Sequence, residues 1–302
     1  MSSPVVNTPL GVACNVLSSV LFAAMYAYST LLAPLGGDAI YGWRILLTVP
    51  CLTVLVIATG CWPQVRDVLR RVRHEPLFWA TRLLSSALLG AQLWLFMWAP
   101  VHGYGLEVSL GYFLLPLTMV VLGRYAFGER ISGMQRLACL LALAGIISQL
   151  LLTRAVSWPT LAVCLGYPGY FWLRRVTHTN NLGGVWVDMG LSLPVSLWFV
   201  SGAAGASLSG MPWLVLGLGV LSAAALGSQA LSAPRLSLSL FGLLTYVEPV
   251  LLVMVALLLG ETISPALWPT YFLIWAAVVV LVAEGSLAAR RRGRLPAPGG
   301  AG

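Results

Sequence analysis

One carboxylate stands within a long apolar stretch of this sequence. Glu248 lies in the segment LFGLLTYVEPVLLVMVALLLG, directly before Pro249. A charged group at the centre of a bilayer costs about 2.5–3.5 kcal/mol on insertion scales, so it should face a wet cavity, pair with an arginine, or be protonated. Because a proline inside a helix frees a backbone carbonyl, the Glu-Pro pair indicates a cation or proton site. The alternative is a neutral glutamic acid, hydrogen-bonded within a helix bundle.

Two arginines within apolar stretches are the candidate counter-charges. Arg44 follows Trp43 in YGWRILL, and Arg82 lies in WATRLLSSALLG. Either side chain could instead extend its charged end to a membrane surface. A guanidinium fixed inside a cavity would favour anionic or zwitterionic substrates.

Aromatic side chains are frequent in the same apolar stretches. Trp94 and Trp98 are four residues apart and share a helical face. They join a set of candidate cavity residues, since substrate cavities have apolar walls with a few polar groups. Packing or an interfacial aromatic belt is the alternative for each of them. Including the charged groups, the cavity candidates are Arg44, Arg82, Trp94, Trp98, Tyr112, Tyr170, Tyr246 and Glu248.

Paired prolines suggest where helices bend. Pro116 and Pro249 occupy near-equivalent positions in two similar segments, and paired interruptions point to the binding region of repeat transporters. We therefore predict gating or helix-break roles for both prolines.

Motifs of enzymes and cofactor sites are missing from the sequence. It contains no Walker A loop, G-x-G-x-x-G turn or G-x-S-x-G elbow, and no His, Cys, Asp and Glu set with metal spacing. We predict no catalytic residues, no metal and no cofactor. An enzyme embedded in the membrane that acts on a lipid or prenyl substrate is the alternative, although such enzymes usually cluster His, Asp or Glu.

Composition indicates that lipid is the main solvent. Of 302 residues, 59% are hydrophobic and 9% are charged, and the net charge is +8. Soluble domains carry about 25% charged residues. The arginines lie between apolar runs, where they signal orientation and not nucleic-acid binding.

Runs long enough to cross a bilayer need about 20 apolar residues. The sequence predicts ten transmembrane helices near 10–32, 41–60, 77–99, 105–127, 133–152, 157–173, 184–204, 211–232, 236–259 and 265–285. Arginines concentrate in alternate connections, which predicts a multi-pass protein with both termini in the cytoplasm. A basic, Pro/Gly-rich tail of residues 287–302 follows and is expected to be disordered.

Two segments of the chain have similar sequences. SLGYFLLPLTMVVLGRYAFGERIS begins at Ser109, and SLFGLLTYVEPVLLVMVALLLGETIS begins at Ser239. With ten spans, the two halves of five enter the membrane in opposite orientations. The connection Gly128-Glu129-Arg130 then lies on the cytoplasmic side and Gly260-Glu261-Thr262 on the outside. Because arginine is favoured on the cytoplasmic side, this explains why only the first connection carries one. We predict two inverted five-helix repeats, at residues 1–152 and 153–286.

Several segments resemble the RarD group of EamA-type permeases, in the drug/metabolite transporter superfamily. They are GLEVSLGYFLLPL followed by GERIS, YGWRILL, LWLFMWA and FLIWAAVVVLV. The resemblance implies an all-α integral inner-membrane permease with two EamA repeats. This chain differs from the usual pattern where Thr245-Tyr246-Val247-Glu248-Pro249 replaces a Gln-Tyr-x-Gly-Pro motif, which adds a carboxylate.

We therefore expect a secondary transporter that works by alternating access. Its partners would be a small organic metabolite or drug-like solute, membrane lipid and a coupling proton carried by Glu248, with no nucleic acid. The resemblance implies export across the inner membrane. Whether the protein is a monomer or a homodimer is left open.

Overall fold

The computed structural model describes residues 7–32, 35–99, 102, 104–153, 157–202, 212–258 and 265–293. Within these ranges the chain is helical and contains no strand. The predicted Gly260-Glu261-Thr262 hinge and the tail from residue 294 onward lie outside them. The helices are α1 Pro9–Thr30, α2 Gly37–Ala58, α3 Trp62–His74, α4 Pro76–Trp98, α5 Gly105–Phe127, α6 Gly133–Thr153, α7 Trp158–Val176, α8 Leu182–Leu191, α9 Leu193–Ser201, α10 Pro212–Ser232, α11 Leu238–Leu244, α12 Val247–Leu258 and α13 Trp268–Gly293.

Each of the ten predicted segments is helical over most of its described length. An apolar chain in lipid must satisfy its backbone hydrogen bonds internally, and a helix does so within one segment. By length and composition, five described helices can cross a membrane, and the bent pair α8–α9 would make six. The ten-span count remains a prediction for the other segments.

Two of the predicted spans are broken. The axes of α8 and α9 differ by 42° at Ser192, and Pro194 lies in the first turn of α9. The ninth segment ends α11 at Leu244 and restarts as α12 at Val247. A proline is tolerated in a first turn, where its missing N–H has no intrahelical partner.

The two prolines predicted as paired interruptions differ in position. Pro116 lies inside α5, which continues through it, whereas Pro249 is the third residue of α12, in the first turn after the break between α11 and α12. Of the two prolines, therefore, Pro249 lies next to an interruption of the helix and Pro116 does not.

A cationic amphipathic helix fills the connection after α2. Helix α3 buries Val65 and Val68, and its last turn contains Arg71, Arg73 and His74. Cations near a helix C-terminus are favourable because they face the negative end of the helix dipole. The sequence predicts only a basic loop at this connection, because α3 is too polar to resemble a span.

Helix α13 also extends beyond its prediction. It continues to Gly293, through part of the segment expected to be a disordered tail. Residues 286–292, SLAARRR, contain good helix formers, and the glycines and prolines come only later. The helical boundary therefore follows local propensity rather than the end of the apolar run.

Helices of the first half pack mainly on helices of the second half. Helix α1 contacts α10 and α12, α4 contacts α7 and α8, and α2 contacts α9 and α10. Helix α5 contacts α7 and α11, and α6 contacts α13. Glycine permits some of these close approaches: a Cβ on Gly219 of α10 would lie 2.5 Å from the Leu47 Cβ of α2.

Candidate functional site

A cavity lies where helices of both halves meet. It has about 610 Å³ of space between protein atoms, part of it open to the outside. Side chains from α1, α2, α4, α5, α7, α10 and the α11–α12 junction line it. We call this space the central cavity; its lining residues are Phe22, Arg44, Leu93, Phe96, Tyr112, Leu115, Tyr167, Phe171, Gln229, Thr245, Glu248 and Pro249.

Arg44 contributes a fully buried cation to the central cavity. Its side chain has 0% exposure, and its Nε donates a hydrogen bond of 3.0 Å to Oγ of Ser222 in α10. Neither Nη1 nor Nη2 has a hydrogen-bond partner among the described residues. Within the described part of the chain, the guanidinium therefore has one hydrogen bond, and its two terminal nitrogens have none.

Glu248 contributes the carboxylate. It lies in the first turn of α12, and its backbone N–H donates to the carbonyl of Thr245 at 3.1 Å, across the helix break. No ion pair within 4.0 Å joins it to an arginine in the described part of the chain. The structure places Glu248 in the lining of the central cavity.

Aromatic rings form much of the cavity wall. The rings of Phe96 and Tyr112 meet edge to face with centroids 5.9 Å apart, and Tyr112 lies 6.1 Å from Tyr167. Tyr167 in turn stacks on Phe171 at 6.4 Å. Such a wall suits a solute with a flat or apolar body. Of the predicted cavity residues, Arg44, Tyr112 and Glu248 are brought together here, with Pro249 beside them.

Trp94 and Trp98 lie outside the lining of this cavity. Their rings stack at 5.0 Å, as the i, i+4 spacing predicted, and Trp98 also stacks on His102 at 4.2 Å. Trp94 Nε1 donates to Oδ1 of Asp38 at 2.9 Å. These contacts favour the packing alternative for both tryptophans.

Arg82 and Tyr170 belong to a second buried group, which we call the Asp188 cluster: Arg82, Ser85, Tyr170, Arg174 and Asp188. Arg82 Nη1 lies 3.4 Å from Oδ1 of Asp188, and Ser85 Oγ donates to Oδ2 at 2.7 Å. Arg174 Nη1 donates to the Tyr170 hydroxyl at 2.8 Å, and its Nε lies 3.9 Å from Asp188. All three charged side chains are at most 1% exposed.

Asp188 was not among the residues predicted for a functional site. Its position inside the apolar run GGVWVDMGLSL was a usable signal, since intramembrane carboxylates are costly and need a partner. Arg82 has this partner instead of a place at the central cavity.

Tyr246 is likewise buried away from the cavity lining. Its hydroxyl donates a hydrogen bond of 2.9 Å to the carbonyl of Phe113 in α5. Tyr246 occupies the break between α11 and α12, so this bond anchors the break to a helix of the first half.

Glu129 ties three elements together outside the apolar segments. Its carboxylate accepts hydrogen bonds from the backbone N–H groups of Leu238 and Ser239, both at 2.8 Å, and pairs with Arg175 at 2.6 Å. Burial of the carboxylate raises its pKa, but these donors outweigh burial, and the pKa of Glu129 is lowered overall. Glu129 therefore caps the N-terminus of α11 as an anion.

The apolar helices and the buried polar groups define an all-α, multi-pass membrane protein. A Pseudomonas aeruginosa protein named chloramphenicol-sensitive protein RarD is 40% identical over 290 residues, covering 94% of this chain and 97% of that protein. An uncharacterized transporter of Pasteurella multocida is 37% identical over 93% of this chain and 98% of its own length. The chain belongs to the RarD family of transporters.

Two further comparisons bear on the fold. No family model matches the chain. A crystal structure with 17% sequence identity superposes with a TM-score of 0.65 over 91% of this chain and 97% of that one, which shows a shared fold.

Proposed function

We propose that this protein is a secondary transporter that moves a small organic solute across the inner membrane by alternating access. The observation that carries the proposal is the central cavity, which is lined from both halves of the chain. It contains a cation, Arg44, and a carboxylate, Glu248, that are not paired with each other. Unpaired charges in an apolar interior are costly and mark substrate or ion pathways.

Two inverted five-helix repeats would give the cavity its two gates. The helix contacts support this arrangement, because a contact between two helices has a counterpart between the corresponding helices of the opposite halves. The contact of α1 with α10 has its counterpart in α7 with α4, and that of α2 with α10 in α8 with α4. In such repeats alternating access is a rocking of one bundle against the other around a fixed site. Arginine placement supports cytoplasmic termini.

The break between α11 and α12 is the proposed moving part. A few residues at the end of an element can absorb the backbone change of a hinge. Glu248 is the second residue of α12 and lines the central cavity, so a change in its charge would act next to this break. We propose that Glu248 carries the coupling proton and that transport is outward.

Flux into proteoliposomes tests the proposal. Purified protein would be reconstituted and offered a panel of labelled small organic solutes, including chloramphenicol, the drug in the name of the Pseudomonas aeruginosa relative. We expect saturable movement of at least one unmodified solute, faster under an imposed pH gradient. No saturable flux would contradict transport, and a chemically altered solute would support the enzyme alternative.

Glu248→Gln isolates the proton step. The variant keeps the size of the side chain but cannot exchange a proton, so flux should lose its response to the pH gradient. Glu75→Gln is the matched control, since Glu75 is 51% exposed and pairs with Arg71 on the surface. An unchanged pH profile in Glu248→Gln would remove Glu248 from the coupling mechanism.

A further inference from the structure

The donor nitrogens of Arg44 are arranged for one kind of ligand group. Ser222 Oγ accepts from Nε at 3.0 Å and thereby occupies one edge of the guanidinium. Nη1 and Nη2 remain without partners among the described residues, although the side chain is 0% exposed. A buried charge left without hydrogen bonds is strongly unfavourable, so these two nitrogens require an acceptor.

Other polar groups of the cavity do not supply that acceptor. Glu248 forms no ion pair with Arg44 within 4.0 Å in the described chain, and no hydrogen bond joins Arg44 to Tyr112 or Tyr167 there. The acceptor must therefore come from outside the described residues. A planar oxyanion matches two parallel N–H donors, because carboxylate and guanidinium form bidentate pairs.

The rest of the wall indicates what the oxyanion is attached to. Five aromatic side chains and two leucines line the cavity: Phe22, Phe96, Tyr112, Tyr167, Phe171, Leu93 and Leu115. These groups offer contacts to an apolar or aromatic body and few hydrogen bonds.

We propose that the central cavity selects solutes bearing a carboxylate on an apolar or aromatic body, and that Nη1 and Nη2 of Arg44 hold the carboxylate end-on. The inference rests on the proposed transport function, because it names the class of solute. Ser222 is a positioning residue, which keeps Nε occupied so that the two terminal nitrogens face the ligand.

Four compounds that share a phenyl group and a short carbon chain test the proposal on the purified full-length protein. They are 3-phenylpropionate, L-phenylalanine, 2-phenylethylamine and 3-phenylpropanol, which carry a carboxylate, both charges, an ammonium and a neutral hydroxyl. Binding would be measured by calorimetry and by the rise in melting temperature. We expect the two carboxylates to bind about tenfold or more tightly than the amine and the alcohol, because charge-assisted hydrogen bonds are the strong ones.

Two variants locate the effect. Arg44→Lys keeps the charge but loses the two-nitrogen fork, so the dissociation constants of both carboxylates should rise by about tenfold. Arg82→Lys is the matched control, because Arg82 is also a buried arginine but lies in the Asp188 cluster. It should leave the dissociation constants unchanged.

Three outcomes would overturn the proposal: equal binding of the alcohol and the acid, no binding of any of the four compounds, or unchanged acid binding in Arg44→Lys. The wild-type series decides even where a variant fails to fold. Saturable flux without carboxylate preference would contradict this inference and leave transport intact. Carboxylate binding without flux of the same compounds would support the inference and contradict transport.

Discussion

Asp188→Asn should destabilise the protein strongly although it replaces one atom. Asp188 is the carboxylate that faces Arg82 and Arg174, and all three side chains are at most 1% exposed. Asparagine removes the negative charge and turns an N–H₂ group, itself a donor, toward cationic donors. Two guanidinium groups would then share an interior with no compensating carboxylate nearby among the described residues.

The magnitude follows from burial more than from distance. Removing one partner of a buried ion pair costs about 3–5 kcal/mol, because the remaining charge stays desolvated. Asp67 provides the contrast. It lies 2.5 Å from Arg70, closer than the 3.4 Å between Asp188 and Arg82. The side chains of Asp67 and Arg70, however, are 62% and 70% exposed. Exposed pairs contribute about 0–1 kcal/mol, so Asp67→Asn should be almost neutral.

The free energy of unfolding can be compared by SDS titration of the purified protein in detergent, followed by circular dichroism. Asp188→Asn should lower it by about 3–5 kcal/mol and Asp67→Asn by less than about 1 kcal/mol. Adding Arg82→Met to Asp188→Asn should recover part of the loss, because one unpaired cation disappears. If Asp188→Asn is no more destabilising than Asp67→Asn, then Asp188 does not compensate the buried charges of Arg82 and Arg174.

Two further predictions concern the connections between helices. The lowered pKa of Glu129 means that its contribution should be complete above the ordinary glutamate pKa of about 4.3 and should be lost as the pH falls through the lower folded-state value. Melting curves of the wild type and Glu129→Gln should therefore differ at pH 7 and converge in acid, whereas a constant difference would contradict the assignment. Gly219→Ala should lower the free energy of unfolding by about 1–3 kcal/mol, because the new Cβ would lie 2.5 Å from the Leu47 Cβ. Gly190→Ala, with nothing within 4 Å of the new Cβ, should be neutral or stabilising in the same SDS titration.

The positions of the helices could be predicted from the sequence because the physical constraint is local. A run of apolar residues in lipid has to form its own hydrogen bonds, and the run itself contains that information. The amphipathic α3 and the extension of α13 were missed because hydropathy alone does not report on polar helices. Propensity and charge placement in WPQVRDVLRRVRH were the available signals.

The polar sites could be predicted only in part from the sequence. Arg44 and Glu248 were predicted because an isolated charge in an apolar run needs a cavity or a partner. The choice between those two outcomes is not local. Arg82 pairs with Asp188 at a separation of 106 residues, whereas Ser222, 178 residues away, is the one side-chain partner of the Arg44 guanidinium among the described residues. Only the packing of the two halves decides which arginine is neutralised and which faces the cavity.

The two polar sites also bear on the proposed repeat. Arg44 lies near the start of α2 and contacts Ser222 midway along α10, while Asp188 lies near the end of α8 and contacts Ser85 midway along α4. In the proposed repeat, α2 with α10 and α8 with α4 are corresponding helix pairs, and in each pair a charged side chain of one half contacts a serine of the other. Around Asp188, Arg82 and Arg174 compensate the buried carboxylate. Around Arg44, the two terminal nitrogens have no hydrogen-bond partner within the part of the chain that the structure describes.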